Sequence, residues 1–136
     1  YAQKLQYQLR DLDGSYLHCD RRLADARPSD VIWFDDDRRE LVGTYLKGAE
    51  AKAYEPALEA TSEIIDGFQS PLGMELLATV DWLLSREHVS PHVNSIRSAL
   101  SNWSGGREAG QRKLRLFDDR MLNLALERLQ GMPATT

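Results

Sequence analysis

Gly67–Leu84, GFQSPLGMELLATVDWLL, is the stretch whose reading decides the fold. Ser70-Pro71 reads as a helix start, because Ser accepts from a free N–H of the first turn and Pro is tolerated at the first helical position. Beyond it Gly73, Leu76, Leu77, Val80, Leu83 and Leu84 fall at the spacing of one helical face. Met74, Ala78 and Trp82 cover a second face, so the segment predicts a helix over about 71–87 that is apolar around most of its circumference and buried. Burial of a large apolar side chain contributes roughly 1.5–3 kcal/mol, which makes this helix the chain's chief store of stabilisation. Glu75 and Asp81 interrupt it, and each needs a partner or a path to water.

Outward from this helix, the rest of the 136 residues is ordinary in composition, 42% hydrophobic and 28% charged, as expected of one globular domain with a moderate core. No apolar run reaches the length of a membrane span, and no signal peptide opens the chain. The single cysteine, Cys19, forms no internal disulfide, and a cytoplasmic protein is expected. A chain that starts at Tyr1 rather than Met is expected to be a domain cut from a longer protein. The net charge of -4 is unevenly spread: residues 1–70 carry 9 Lys+Arg against 14 Asp+Glu, residues 71–136 carry 8 against 7. The acidic part repels nucleic acid and attracts a basic partner.

Leu5, Leu9 and Leu12 predict a short amphipathic helix that Asp13-Gly14 stops. SYLHC and DVIWF predict two short strands, a β-hairpin with a long polar loop containing Pro28 and Ser29. After Asp35-Asp36-Asp37, residues Leu41, Tyr45 and Leu46 form an apolar stripe and Gly48 a helix stop. Helix resumes over 49–68, with Pro56 kinking it or starting a new one, and Leu58, Ser62, Ile65 and Phe68 on one face. Past the central helix, Ser90-Pro91 repeats the same start device for Val93–Trp103, and Ser104–Gly110 is a flexible loop. Arg112–Phe117 reads as a short extended basic segment, and Asp118 caps a last helix that buries Leu122, Ala125, Leu126 and Leu129. The expected fold is therefore α+β, mostly α: one domain over 1–136. Its parts are an acidic helix plus β-hairpin over 1–48, a helical part over 49–130 that is winged-helix-like at most, and a tail over 131–136.

Little here carries chemistry. His18-Cys19-Asp20 sets three possible metal ligands side by side, but neighbours on a strand point to opposite faces and nothing completes a tetrahedral set. His88 and His92 straddle a helix boundary. Neither a phosphate-binding glycine loop nor a nucleophile motif is present, so no enzyme, no cofactor and no metal are expected. Asp35, Asp36 and Asp37 read as a solvated turn or as a surface that meets a basic protein. Arg112, Lys113, Arg115 and Arg120, beside Arg107, are the candidate phosphate contacts of a winged-helix or helix-turn-helix regulator, against which the acidic overall charge argues. A structural dimerisation domain is a further alternative.

Ile65, Gly67, Phe68, Pro71, Gly73, Glu75, Leu76, Leu77, Ala78 and Trp82 form a pattern that resembles the C-terminal region of DarG antitoxins. The later series Trp103, Arg112, Lys113, Phe117, Asp119, Ala125 and Leu129 is similar to the same region, as are Gln3-Lys4-Leu5 and Tyr7 at the start. Asp81 stands where that pattern has His, the Gly-Pro-Tyr segment between the two regions is not visible, and no stretch corresponds to the family's macro domain. The resemblance implies a non-catalytic module that binds and neutralises DarT, a toxin that ADP-ribosylates single-stranded DNA, with acidic surface standing in for nucleic acid. Trp33, Asp35, Asp36 and Asp37 are the residues expected to meet that partner, acids steering and apolar groups holding. No membrane contact is implied, and nucleic acid is a partner only in the regulator alternative.

Overall fold

Helices begin and end where the sequence supplies caps and close approaches. In order, the chain forms α1 (Ala2–Leu12), β1 (Leu17–Cys19), a 3₁₀ turn at Leu23–Asp25, β2 (Ile32–Phe34) and a second 3₁₀ turn at Asp36–Arg38. Then follow α2 (Arg39–Leu46), α3 (Ala49–Lys52), α4 (Glu55–Ile65), α5 (Pro71–Ser85), α6 (Val93–Ser101), α7 (Arg107–Leu116) and α8 (Asp119–Gln130). The structure is a computed structural model that describes residues 2–27 and 29–131, with side chains from Tyr7 onward. Pro28 in the hairpin loop, the side chains of Gln3, Lys4 and Leu5, and the tail beyond residue 131 lie outside the described residues. The fold is α+β and mostly α, with one small antiparallel sheet. The chain clusters into two compact units, Tyr1–Glu55 and Pro56–Thr136.

In the first unit, β1 and β2 pair in the register Leu17↔Phe34, His18↔Trp33 and Cys19↔Ile32. The Asp13 carboxylate, just past α1, accepts from the Leu23 N–H at 3.0 Å and so sets the 3₁₀ turn against the helix end, with Leu23 buried. The long hairpin loop is tied by Arg21 to Asp30 at 2.7 Å and by the Arg27 N–H to the same carboxylate at 2.8 Å. Leu41, Tyr45 and Leu46 do lie on a helix, but about half of each is exposed. Among the described residues their stripe faces solvent.

The second unit holds the core. Leu76, Leu77, Val80 and Leu83 of α5 pack with Ile96 and Leu100 of α6, with Phe117, and with Leu122, Ala125 and Leu126 of α8. Ser70 caps α5 by accepting from the Gly73 N–H at 3.0 Å, with Pro71 in the first turn. Gly73 is required by space: a Cβ there would lie 2.6 Å from the Phe68 carbonyl oxygen. Pro56 stands in the first turn of α4, where its missing N–H costs nothing. Asp118 caps α8 through the Met121 N–H at 2.8 Å.

Several expectations are corrected here. Met74, Ala78 and Trp82 are exposed, so α5 is buried along one side only, and the Trp82 indole bonds Glu87 at the surface. Leu58 is likewise outward, while Ile64 and Phe68 dock on the core. Arg112–Phe117 is no extended segment, and Ser104–Gly110 is not loop throughout: α7 runs from Arg107 to Leu116. Gln, Arg, Lys, Leu and Glu are good helix formers, and Gly110, Lys113, Leu114 and Phe117 recur at helical spacing on the packed side. Gly110 lets α7 touch α6, since a Cβ there would lie within 2.2 Å of the Leu100 carbonyl oxygen. Ser90-Pro91 does not cap α6, whose first residue follows His92; the chain first docks Val89 on the core, through a left-handed His88 and a Val89 N–H bond to the Leu83 carbonyl at 2.9 Å.

Candidate protein-binding surface

The hairpin register explains how the acidic run is shaped. Because His18 lies opposite Trp33, the two rings stack at 6.1 Å between centroids and 29° between planes. The His18 Nε2 then reaches past β2 and donates to Asp35 Oδ2 at 3.0 Å. The other Asp35 oxygen accepts from the Asp37 N–H at 3.0 Å and starts the 3₁₀ turn, while the Asp35 N–H donates to the Tyr16 carbonyl at 2.9 Å. Asp36 pairs with Arg39 at 2.5 Å on the outer side of that turn.

Asp35 titrates below the usual carboxylate range. Its hydrogen bond from His18 is the main cause, partly opposed by desolvation and reinforced by the Asp37 N–H and by the positive charge of His18 and Arg38. Both its oxygens are held, so the anion has a fixed direction. Trp33, Asp35, Asp36 and Asp37 come together around one shallow groove of about 410 Å³, joined by His18 and Phe34. The sequence marks His18 only as a possible metal ligand and does not single out Phe34. Their signal is the register, which depends on pairing across a long loop and is not written in either strand alone.

A second groove of about 370 Å³ in the same unit is lined by Leu12, Tyr16, Leu41, Val42 and Tyr45. The Arg38 guanidinium, at the end of the acidic turn, lies 6.0 Å over the ring of Tyr16, which lines this apolar groove. An acidic, aromatic groove beside an apolar one suits a basic partner surface with hydrophobic anchors. His18 is engaged by Asp35 rather than by Cys19 or Asp20, and among the described residues no group of three His, Cys, Asp or Glu is placed to hold a metal ion. Among the same residues no helix is long and apolar enough to cross a membrane.

The four cations considered for nucleic acid divide into two pairs. Arg112 and Lys113 both bond Glu75 Oε1, at 2.5 and 2.9 Å, and Lys113 also donates to the Thr79 hydroxyl at 2.9 Å. Lys113 is nearly buried and lies over the rings of Trp103 and Phe117. Arg115 and Arg120 stay exposed. Glu75 therefore finds its partners and Asp81 its path to water, as charged groups on a packed helix must.

These features define a mostly helical α+β chain with an acidic, aromatic groove on its small sheet. No family model matches the chain. It is similar to two curated proteins named DNA ADP-ribosyl glycohydrolase, from Mycobacterium bovis BCG and Mycobacterium tuberculosis. Each is 24% identical over 131 residues, covering 95% of this chain and 35% of the relative. The chain thus spans about a third of the length of these relatives.

Proposed function

We propose that this chain is a toxin-binding module of the DarG type, which neutralises a DNA-modifying ADP-ribosyltransferase of the DarT type by occupying its basic cleft and has no catalysis of its own. The observation that carries the reading is the groove of Trp33, Asp35, Asp36 and Asp37, in which a hydrogen bond from His18 holds the Asp35 carboxylate in place, with an apolar groove in the same unit. A cleft built for nucleic acid is positive and partly aromatic, and this groove offers it the complementary charge with rings to bury. The similarity of nearly the whole chain to DNA ADP-ribosyl glycohydrolases supports a place in the same system. Such a module works from the bacterial cytoplasm.

Calorimetric titration of the chain into a catalytically silenced DarT-type toxin tests this. Reversing all three acids (Asp35→Lys, Asp36→Lys, Asp37→Lys) is expected to weaken binding by at least about tenfold, more at low ionic strength, because rim charges act through steering and screening. Asp36→Lys/Asp37→Lys leaves the Asp35 cap intact and keeps the test valid if the triple variant unfolds. Trp33→Ala is expected to speed dissociation rather than slow association. Toxin affinity unchanged in both charge variants rejects this surface.

A further inference from the structure

Three open depressions follow one another along α7 in the second unit and share residues at their joins. The first, of about 530 Å³, is lined by Asn102, Trp103, Arg107 and Gln111, among others. Arg107 also lines the second, of about 560 Å³, together with Arg112 and Arg115. Arg115 in turn lines the third, of about 630 Å³, with Arg97 and Arg120. Arg97 is matched by Asp119 at 3.0 Å and Arg112 by Glu75, whereas Arg107, Arg115 and Arg120 make no ion pair among the described residues. The acids alongside are Glu108, Asp118 and Asp119; Asp118 has one oxygen committed to capping α8 and Asp119 is held by Arg97. What remains along the trough is three uncommitted guanidinium groups against one uncommitted carboxylate, Glu108.

We propose that this trough binds the sugar-phosphate backbone of a single nucleic-acid strand, with Arg107, Arg115 and Arg120 as phosphate contacts. A guanidinium fork matches phosphate oxygens in pairs, which a lysine cannot do. The ten residues of α7 span about 15 Å, room for a few successive phosphates. At one end, Asn102 and Gln111 offer amide groups that can hydrogen-bond the edge of an unpaired base and not of a paired one, beside the half-buried Trp103, whose ring already carries Lys113. The trough belongs to a different unit from the hairpin groove, and the inference stands apart from the toxin-binding reading.

Fluorescence anisotropy of a labelled 15-nucleotide single strand, titrated with the whole chain at 50 and 200 mM salt, tests it. Three phosphate contacts on a single strand predict an affinity loss of about 20-fold between those salt concentrations. Arg107→Ala/Arg115→Ala/Arg120→Ala is expected to bind at least about tenfold more weakly at 50 mM with a flattened salt slope. Arg115→Ala alone should lower the slope by about 0.7, which serves if the triple variant misfolds. Lys47→Ala/Lys52→Ala, in the first unit, should bind like wild type. The proposal is overturned if no strand binds at 50 mM, if the arginine variants bind as wild type does, or if the matching duplex or a polyglutamate of equal length displaces the strand as well as unlabelled strand does.

Discussion

Replacing Glu75 by Gln separates the charge at the α5–α7 contact from its shape. The carboxylate is 30% exposed and accepts from Lys113, which is 12% exposed, and from Arg112, which is 53% exposed. The Lys113–Glu75 pair, at 2.9 Å, gains about 6 kcal/mol at an effective dielectric of 20, before desolvation. Partial exposure and the desolvation of Lys113 reduce the net to about 1–2 kcal/mol, because Gln still accepts one bond but leaves the ammonium without a counter-charge. Arg112→Ala, by contrast, removes an exposed, solvent-screened partner and should lower stability less than Glu75→Gln does. Urea unfolding followed by tryptophan fluorescence reads both. The hydrogen bond from Arg112, ahead of that from Lys113, holds Glu75 below its usual pKa of 4.5, so its contribution is fully present above that value and is lost as pH falls through the lower folded value. The gap between wild type and Glu75→Gln should therefore be widest near neutrality and narrow as pH falls from 4.5 through the lower folded value. In Glu75→Gln/Lys113→Met most of the lost stability should return, since neither charge is then left alone. A Glu75→Gln variant as stable as wild type at pH 7, or a double variant no better than the single one, refutes the reasoning.

Two other perturbations follow from the geometry. Gly110→Ala forces a Cβ into the Leu100 carbonyl and toward Trp103 Cβ, and should lower stability by about 1–3 kcal/mol in the same urea assay, where an ordinary helical Gly→Ala change would raise it. His18→Ala removes the main cause of the low Asp35 pKa, so the Asp35 carboxyl resonance should titrate at higher pH than in wild type by NMR, still in the acid range.

Local features were legible in the sequence, and features that need a second element were not. The start of α5 and the Asp118 cap are written within four residues each, and both stand as expected. Periodicity identified an apolar face on Leu58, on Tyr45 and on Trp82, but spacing says nothing about what lies opposite, and all three are exposed. The α7 helix was hidden because two glycines precede it and its basic residues alternate with leucines, while the Leu100 carbonyl that accounts for Gly110 lies ten residues upstream. The acidic run and Trp33 stood out by composition. Their contact with His18, seventeen residues away, required the strand register.

Arg128 of α8 donates to the carbonyls of Glu63 and Ile64 at the end of α4 and lies 5.5 Å over the Phe68 ring. This one side chain supplies partners for carbonyls that a helix end leaves open, across more than sixty residues of chain. During synthesis, α4 therefore emerges long before the group that seals it. The second unit cannot close until its last helix has left the ribosome, and a nascent chain stalled before residue 128 keeps that seam open to water and to chaperones.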